Sequence, residues 1–478
     1  MNQVLSITAQ EWRLWLRSRT AVIALAAFTL MIAITSILTA NRMAEERHER
    51  MHQQTVAEET FLAQPDRHPH RMVHYGHYVF RTPPPLAIID PGVDAVTGQS
   101  IFLEGHRQNT AMFADTRASA NLGGFRGLTP AFVYQLLVPL LLIALGHGVF
   151  VREREARTLA PLLAQGVSGG ALYLGKALAL AQLSLVLLTP LVVMAFVASL
   201  SGEATGIGLA VIAGYGVYFL VWSALIVLFS ALFRTRGVVL GVLVLIWLAW
   251  ALVVPRLAVA SASATVPAPG KLETDFEMFA DLRKHGDGHN AADPAFASLR
   301  ANLLAQYDVD RVEDLPINFR GVVSQKNEAD ITAVMNEYAE ERMAVEMAQS
   351  AHIGGFGWLS PMLAISTASR TLVGTDIATY HRFLREAEAV RFDFVQGLNE
   401  SHIQALSYTD DINRNQGADA SRRARISSDN WAVLDAFEFT PSSPNVRVGK
   451  AAMSASALAS WLAALVIGGL FATARLRP

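Results

Sequence analysis

The 478-residue sequence contains no cysteine, which excludes disulfides, thiolate metal sites and cysteine nucleophiles. Charge is scarce too. Asp, Glu, Lys and Arg make up 17% of the chain, against about 25% in ordinary globular proteins, while apolar residues make up 52%. The formal net charge of -2 gives no basic excess for nucleic acid. Scarcest of all are ionisable groups inside the long apolar runs, where His147 is the clearest exception. Secondary carriers, pumps and voltage sensors place Asp, Glu, Lys or Arg within their spans. Any active movement by this chain therefore needs an energy source in a partner. No internal repeat is visible, and the low-complexity tracts are the Ala/Ser-rich stretches around Ala258–Ala264 and Ala451–Ser460.

What the chain does have is six apolar runs: Thr20–Ala40, Thr129–Val151, Tyr173–Ser199, Gly206–Phe233, Val238–Val254 and Ala451–Ala472. Each comes near the ~20 residues needed to cross about 30 Å of hydrocarbon. Basic residues mark every second boundary: Arg13, Arg17 and Arg19; Arg152, Arg154, Arg157 and Lys176; Arg234 and Arg236; Arg475 and Arg477. Lys and Arg are retained on the cytoplasmic side, so both termini are expected inside. The first run is read as a retained span, because no small-residue cleavage site follows it. The expectation is an all-α membrane protein, a six-helix transmembrane bundle with a mostly helical extracytoplasmic domain. Residues 1–19 form a cytoplasmic amphipathic helix and 20–40 the first span. Residues 41–128 are a first extracytoplasmic segment. Spans two to five occupy 129–254, with a cytoplasmic segment at 152–172. Residues 255–450 form the large extracytoplasmic domain, 451–472 the last span and 473–478 a cytoplasmic tail. Basic inner loops and outer domains of this size suit a bacterial inner membrane.

The outer segments carry helical periodicity. Ile331, Val334, Met335, Tyr338 and Val345 predict a helix over Val323–His352. Phe383, Ala387, Val390, Phe394 and Leu398 predict another over Asp376–Ile403, with Thr375 or Asp376 as N-cap. Thr82-Pro83-Pro84-Pro85 and Asp90-Pro91-Gly92 mark an extended stretch and a turn. Ile353–Val373 has no charge before Arg370, yet a seventh span there would put Arg475 and Arg477 outside, and Ser360-Pro361 interrupts it. It reads as an interfacial or core-packed segment.

Three motifs compete for chemistry. Gly170–Lys176 has phosphate-loop spacing, but Ala177 stands where a magnesium-binding hydroxyl belongs and the stretch runs into an apolar span, so it reads as coincidence. His48-Glu49-Arg50-Met51-His52 is a formal HExxH, the zinc-and-base pattern of metalloproteases. Its neighbours Glu45, Glu46 and Arg47 describe a solvated helix instead. His68, His70, His74 and His77 form a second group able to ligate a transition metal. They read equally as surface residues around Tyr75 and Tyr78, and the expectation is that no metal is bound.

The inner segment after the second span opens with Val151-Arg152-Glu153-Arg154-Glu155-Ala156-Arg157-Thr158, turns apolar at Leu159, Leu162 and Leu163, and ends through Val167-Ser168 at Gly175-Lys176. Charge followed by leucines suits a short helix docking into a groove of another protein. In Glu153-Arg154-Glu155, Thr158-Leu159, Leu162-Leu163, Val167-Ser168 and Gly175-Lys176 the chain resembles the permease subunit of ABC transporters of the type-2 exporter class; Arg157 replaces that family's usual glycine. Glu11–Arg19 is similar to the family's amphipathic connecting helix, with Trp12, Trp15 and Leu16 sharing one face and Arg13 and Arg17 another. Leu359-Ser360-Pro361, Gly374-Thr375-Asp376, Ala387-Glu388-Ala389-Val390-Arg391 and Leu398-Asn399 resemble a subgroup with a large domain before the last span.

The resemblance implies that 152–172 is a coupling segment. Glu153, Arg154, Glu155, Thr158, Leu159, Leu162 and Leu163 would contact a separate cytoplasmic ATPase, and Trp12, Arg13, Trp15 and Arg17 would lie at the membrane interface. ATP and magnesium would belong to that ATPase, with no cofactor on this chain. A second permease, identical or sister, membrane lipids and an extracytoplasmic protein are the other expected partners. The alternatives are a non-transporting scaffold or sensor, and a metalloprotease using His48, Glu49 and His52.

Overall fold

A computed structural model describes residues 2–112, 128–433 and 436–474. Arg475 and Arg477, and with them part of the charge argument for orientation, lie outside the described residues. In chain order, α1 (Asn2–Arg17) leads through Ser18 into α2 (Arg19–Leu62), followed by α3 (Pro69–Tyr75). Two antiparallel strands come next, β1 (His77–Phe80) and β2 (Ser100–Leu103), pairing His77 with Leu103 and Phe80 with Ser100. The chain continues with α4 (Pro130–Glu155), α5 (Leu159–Ala164), α6 (Gly169–Leu200), α7 (Thr205–Leu232) and α8 (Arg236–Thr265). Then come α9 (Lys271–Leu282), α10 (Ala297–Tyr307), α11 (Phe319–Gly355), α12 (Pro361–Val373), α13 (Ile377–Ala405) and α14 (Pro444–Ala474). Among the described residues, α2, α4, α6, α7, α8 and α14 are long and apolar enough to cross a bilayer. The protein is an all-α membrane protein.

Two spans run further than their apolar stretches. α2 continues to Leu62, past Ala40, because no Gly or Pro interrupts it and because Arg42–Glu46 (3.6 Å) and Arg50–Glu46 (3.3 Å) pair one turn apart beyond the apolar part. α8 passes Pro255 and reaches Thr265 instead of ending at Val254. A π turn at Ala249–Val253 precedes that proline, as one at Val133–Leu137 precedes Pro139 in α4. In each case the widened turn includes the residue four before the proline, where the ring would otherwise clash.

The bundle core is built around α7, whose Tyr215, Tyr218, Phe219, Trp222 and Ile226 are fully buried. The ambiguous segment proves core-packed. α12 is a half-length helix wedged between α7 and α14, and Met362, Ala364, Ile365, Leu372 and Val373 join the bundle core. An apolar bundle requires its polar groups to be satisfied internally, and Ser360 and Ser369 at α12 show how. Ser360 caps its first turn through Leu363 N (3.3 Å) and donates to Trp250 O (3.3 Å). Ser369 Oγ meets Tyr215 OH at 3.1 Å, which in turn receives Gln135 Nε2 at 2.9 Å. At the other end Arg447, buried against Glu203, donates to Leu372 O (2.9 Å) and Val373 O (3.3 Å). A cation at a helix C-terminus offsets the dipole there.

The polar segments form one distal domain at the α12 end of the bundle. α11 and α13 pack side by side, and the outer half of α2, α3 and the two strands pack on α13 and its flank. Phe61, Met72, Val79, Phe383, Phe394, Leu398 and Trp431 fill its core. Asp376 caps α13, accepting from Thr379 N at 2.9 Å. Thr375 does something else: its hydroxyl donates to Asp90 O (2.9 Å) and its carbonyl accepts from Val93 N (2.9 Å). Gly374 closes α12 in the left-handed conformation, φ 82°. The Gly-Thr-Asp motif thus joins α12 to the Asp90-Pro91-Gly92 turn. The Ala-Glu-x-x-Arg motif is equally architectural, since Arg391 is buried and binds Glu388 (2.7 Å), Thr332 (2.7 Å) and Glu328, tying α13 to α11.

Candidate coupling end and histidine clusters

At the end of the bundle opposite the distal domain, a buried ion cluster gathers three helices. Glu11 on α1 is 2% exposed and receives Arg152 Nη2 at 2.8 Å and Lys176 Nζ at 2.7 Å. Lys176, 1% exposed, also reaches Glu153 at 2.7 Å and the carbonyl of Val149. Gly175 lets α1 and α6 touch: a Cβ there would lie 2.7 Å from Ile7 and 2.9 Å from Val4 O. Thr8 Oγ1 donates to Gly175 O (2.9 Å), Trp12 Nε1 to Gln182 Oε1 (2.9 Å) and Trp15 Nε1 to Leu145 O (3.3 Å). The phosphate-loop look-alike is therefore the first turns of a helix, with its lysine committed to carboxylates.

α1 packs on the bundle through Thr8, Glu11 and Trp15. Trp12 is half-buried beside Trp15, ring centroids 5.6 Å apart, while Arg13 and Arg17 are exposed. Leu16, expected on the tryptophan face, is 63% exposed. The packed stripe follows the 4–3–4 spacing of positions 4, 8, 11 and 15 and passes it by. Glu11 escaped the sequence reading as a site residue. Its signal was being the sole acid of α1.

The inner segment divides into two halves. Its charged half binds back to the chain: Glu153 to Lys176, Glu155 to Arg236 with Oε1 2.7 Å from Arg236 N, and Arg154 to Phe233 O at 2.7 Å. Thr158 N closes the turn on Glu153 O at 2.8 Å. Arg157 occupies the left-handed region at φ 56°, where glycine is at home and a side chain costs about 1–2 kcal/mol. The family's glycine at this position thus has a conformational reason. The apolar half, α5, buries none of its residues. Leu159 leans on the bundle core, and Leu162 and Leu163 are half-exposed. Arg154, Arg157, Leu159, Ala160 and Leu163 line an open cleft of about 330 Å³.

The histidines separate into distinct environments. His48, Glu49 and His52 lie exposed on α2, and among the described residues no third ligand joins His48 and His52. His77 is buried against Phe61 (6.0 Å), and burial pushes its imidazole down to about 4. His68 belongs to a buried hub around Asp411. His68 Nε2 lies 3.1 Å and His402 Nε2 2.7 Å from that carboxylate, with Asn318 at 3.2 Å and Arg414 also bound. Burial alone would raise the Asp411 carboxyl; the contacts from His402 and His68 hold it far below the usual range. His70 and His74, one turn apart on α3, meet His106 and His289 instead. Burial, then repulsion from His106 and His74, brings His70 down to about 2.

Comparison with known proteins agrees with this architecture. The profile of the ABC-2 family transporter proteins matches residues 5–308, well over half of the chain, and a domain of unknown function (DUF3526) matches residues 275–440. No curated protein and no solved structure matches the chain. The two profiles overlap over residues 275–308, the stretch of α9 and α10 that follows the fifth span: the chain belongs to the ABC-2 family of transporter proteins and is a multi-pass permease component of an ABC transporter, extended by a DUF3526 domain.

Proposed function

We propose that this permease is driven by a separate cytoplasmic ATPase that docks on α5, and that it acts as a pair with an identical or sister permease. One observation supports the reading above others. The charged half of the inner segment is spent on internal contacts with α1, α6 and α8, while Leu162 and Leu163 project from a helix with no buried residue. A short apolar helix on a rigid anchor is a surface for helix-in-groove recognition. Force on α5 passes through the Glu153–Lys176 contact into α6 and through Glu155–Arg236 into α8. ATP and magnesium bind the partner. Both termini and α5 face the cytoplasm, the distal domain faces the other side of a bacterial inner membrane, and cargo or force passes towards it. The distal domain caps the path and offers a surface to an extracytoplasmic partner.

The test is co-purification. Full-length chain expressed with its ATPase is expected to bring it down stoichiometrically. Leu162→Asp/Leu163→Asp is expected to lose at least ~10-fold of the bound ATPase, and the chain's stimulation of ATP hydrolysis, with the melting midpoint unmoved. An ATPase retained by that variant contradicts the docking site. A wild-type chain that binds no ATPase favours the scaffold reading.

A further inference from the structure

His70, His74, His106 and His289 converge from three stretches of chain, one ring nitrogen each, all four atoms within 4.8 Å of one another. The six ring-centroid separations run from 4.7 to 6.1 Å. An ion bound tetrahedrally at about 2.0–2.1 Å from each nitrogen sets imidazole centroids roughly 5 Å apart and nitrogens roughly 3.3 Å apart. The Nε2 atoms of His70 and His74 already stand 3.2 Å from each other.

The surroundings orient these rings as ligands. His106 places Nδ1 2.8 Å from Glu328 Oε2, a charge contact outside hydrogen-bond angles, and its buried Nε2 has no hydrogen-bond partner. His289 sets Nδ1 3.1 Å from Asp287 Oδ1. A carboxylate hydrogen-bonded behind a histidine, as Asp287 is behind His289, fixes ring and tautomer and leaves the far nitrogen for a metal, and the negative charge of Glu328 beside His106 favours a bound cation. The backbone is shaped to match. His106 holds a left-handed φ of 64°, uncommon for a residue with a side chain, pinned by its own N–H on Glu328 Oε2 at 3.0 Å. The glycines before the two loop histidines permit the approach: a Cβ on Gly105 would lie 2.1 Å from Val73, and one on Gly288 2.3 Å from Asn327. The Asp411 hub differs in kind, because its carboxylate is already occupied by His68, His402, Asn318 and Arg414.

We propose that His70, His74, His106 and His289 bind one divalent first-row transition metal ion, zinc or copper, on the distal domain. Four imidazoles without thiolate suit these ions. Three ligands come from the first polar segment and His289 from the lobe of α9 and α10, helices with no buried residue. The ion therefore staples that lobe to α3.

The test uses full-length protein in detergent without a polyhistidine tag, stripped with chelator and titrated with Zn²⁺ or Cu²⁺. One equivalent is expected to bind, with nitrogen ligation in the copper EPR spectrum, and competition between the two ions identifies the preferred one. His74→Ala/His289→Ala removes two exposed side chains and is expected to weaken binding at least ~100-fold with an unchanged melting midpoint in the metal-free state. Asp287→Asn keeps all four ligands and is expected to weaken it about 10-fold. Wild-type protein that binds no more ion than the double variant, or a double variant that keeps its ion, overturns the proposal.

Discussion

At the coupling end, Glu11, Arg152, Glu153 and Lys176 lock α1, α4 and α6 together and leave α5 uncovered; at the distal end, Glu203 and Arg447 close over the last carbonyls of α12. Both are buried ion clusters in an otherwise apolar bundle, and they do opposite jobs. The first fixes the segment that leads into α5 and leaves α5 without a buried residue. The second finishes a surface, since the helix it caps is packed between α7 and α14 and roofed by the Asp90 turn. Buried charge thus ties the helices together at both ends, and the half-exposed leucines beside the first cluster are the surface on which the proposed docking rests.

The largest effects are expected from breaking the clusters. Removing one partner leaves an uncompensated buried charge, at a cost of about 3–5 kcal/mol. Lys176→Met is expected to lower stability by that order in detergent unfolding and also to release the ATPase, because Glu11 and Glu153 lose the ammonium between them and are left to share Arg152. Arg447→Ala is expected to destabilise comparably while the surviving folded protein keeps its ATPase. Equal loss of ATPase in both variants would erase the distinction between the two ends. A smaller effect sharpens the distal side: Tyr215→Phe removes the hydroxyl between Gln135 and Ser369 and is expected to cost about 1 kcal/mol, measured as a drop in melting midpoint with ATPase binding intact. The smallest effect has the opposite sign. Arg157→Gly relieves a left-handed side chain against the greater chain entropy of glycine when unfolded, for a net gain of about 0.5 kcal/mol. A loss of stability there would show that the Arg157 side chain contributes contacts outweighing its backbone strain.

Much of this was legible in the sequence, for identifiable reasons. Apolar runs gave all six spans because bilayer thickness sets their length, and the periodicity of Phe383, Ala387, Phe394 and Leu398 gave α13 because one face is buried. Span ends were not legible at Ala40 and Val254, since helix continuation past the membrane depends on surface ion pairs and on a π turn that carries no composition signal. The site divides the same way. The grouping of Leu159, Leu162 and Leu163 on one short helix was legible, but nothing in the local sequence shows that Glu153 and Glu155 bind Lys176 and Arg236. The histidines show the limit of local spacing most plainly. His68, His70, His74 and His77 are neighbours in sequence, yet only His70 and His74 share a site, completed by His106 and His289 from 30 to over 200 residues away.

The absence of native cysteine makes one measurement decisive for the docking face on α5. Leu163→Cys, placed in the full-length chain and treated in native membranes with a short thiol–amine crosslinker, is expected to form a covalent product with the ATPase subunit, identified by mass spectrometry, while Phe276→Cys on exposed α9 forms none. A product from Phe276→Cys and none from Leu163→Cys would put the motor at the other end of the molecule and contradict the account.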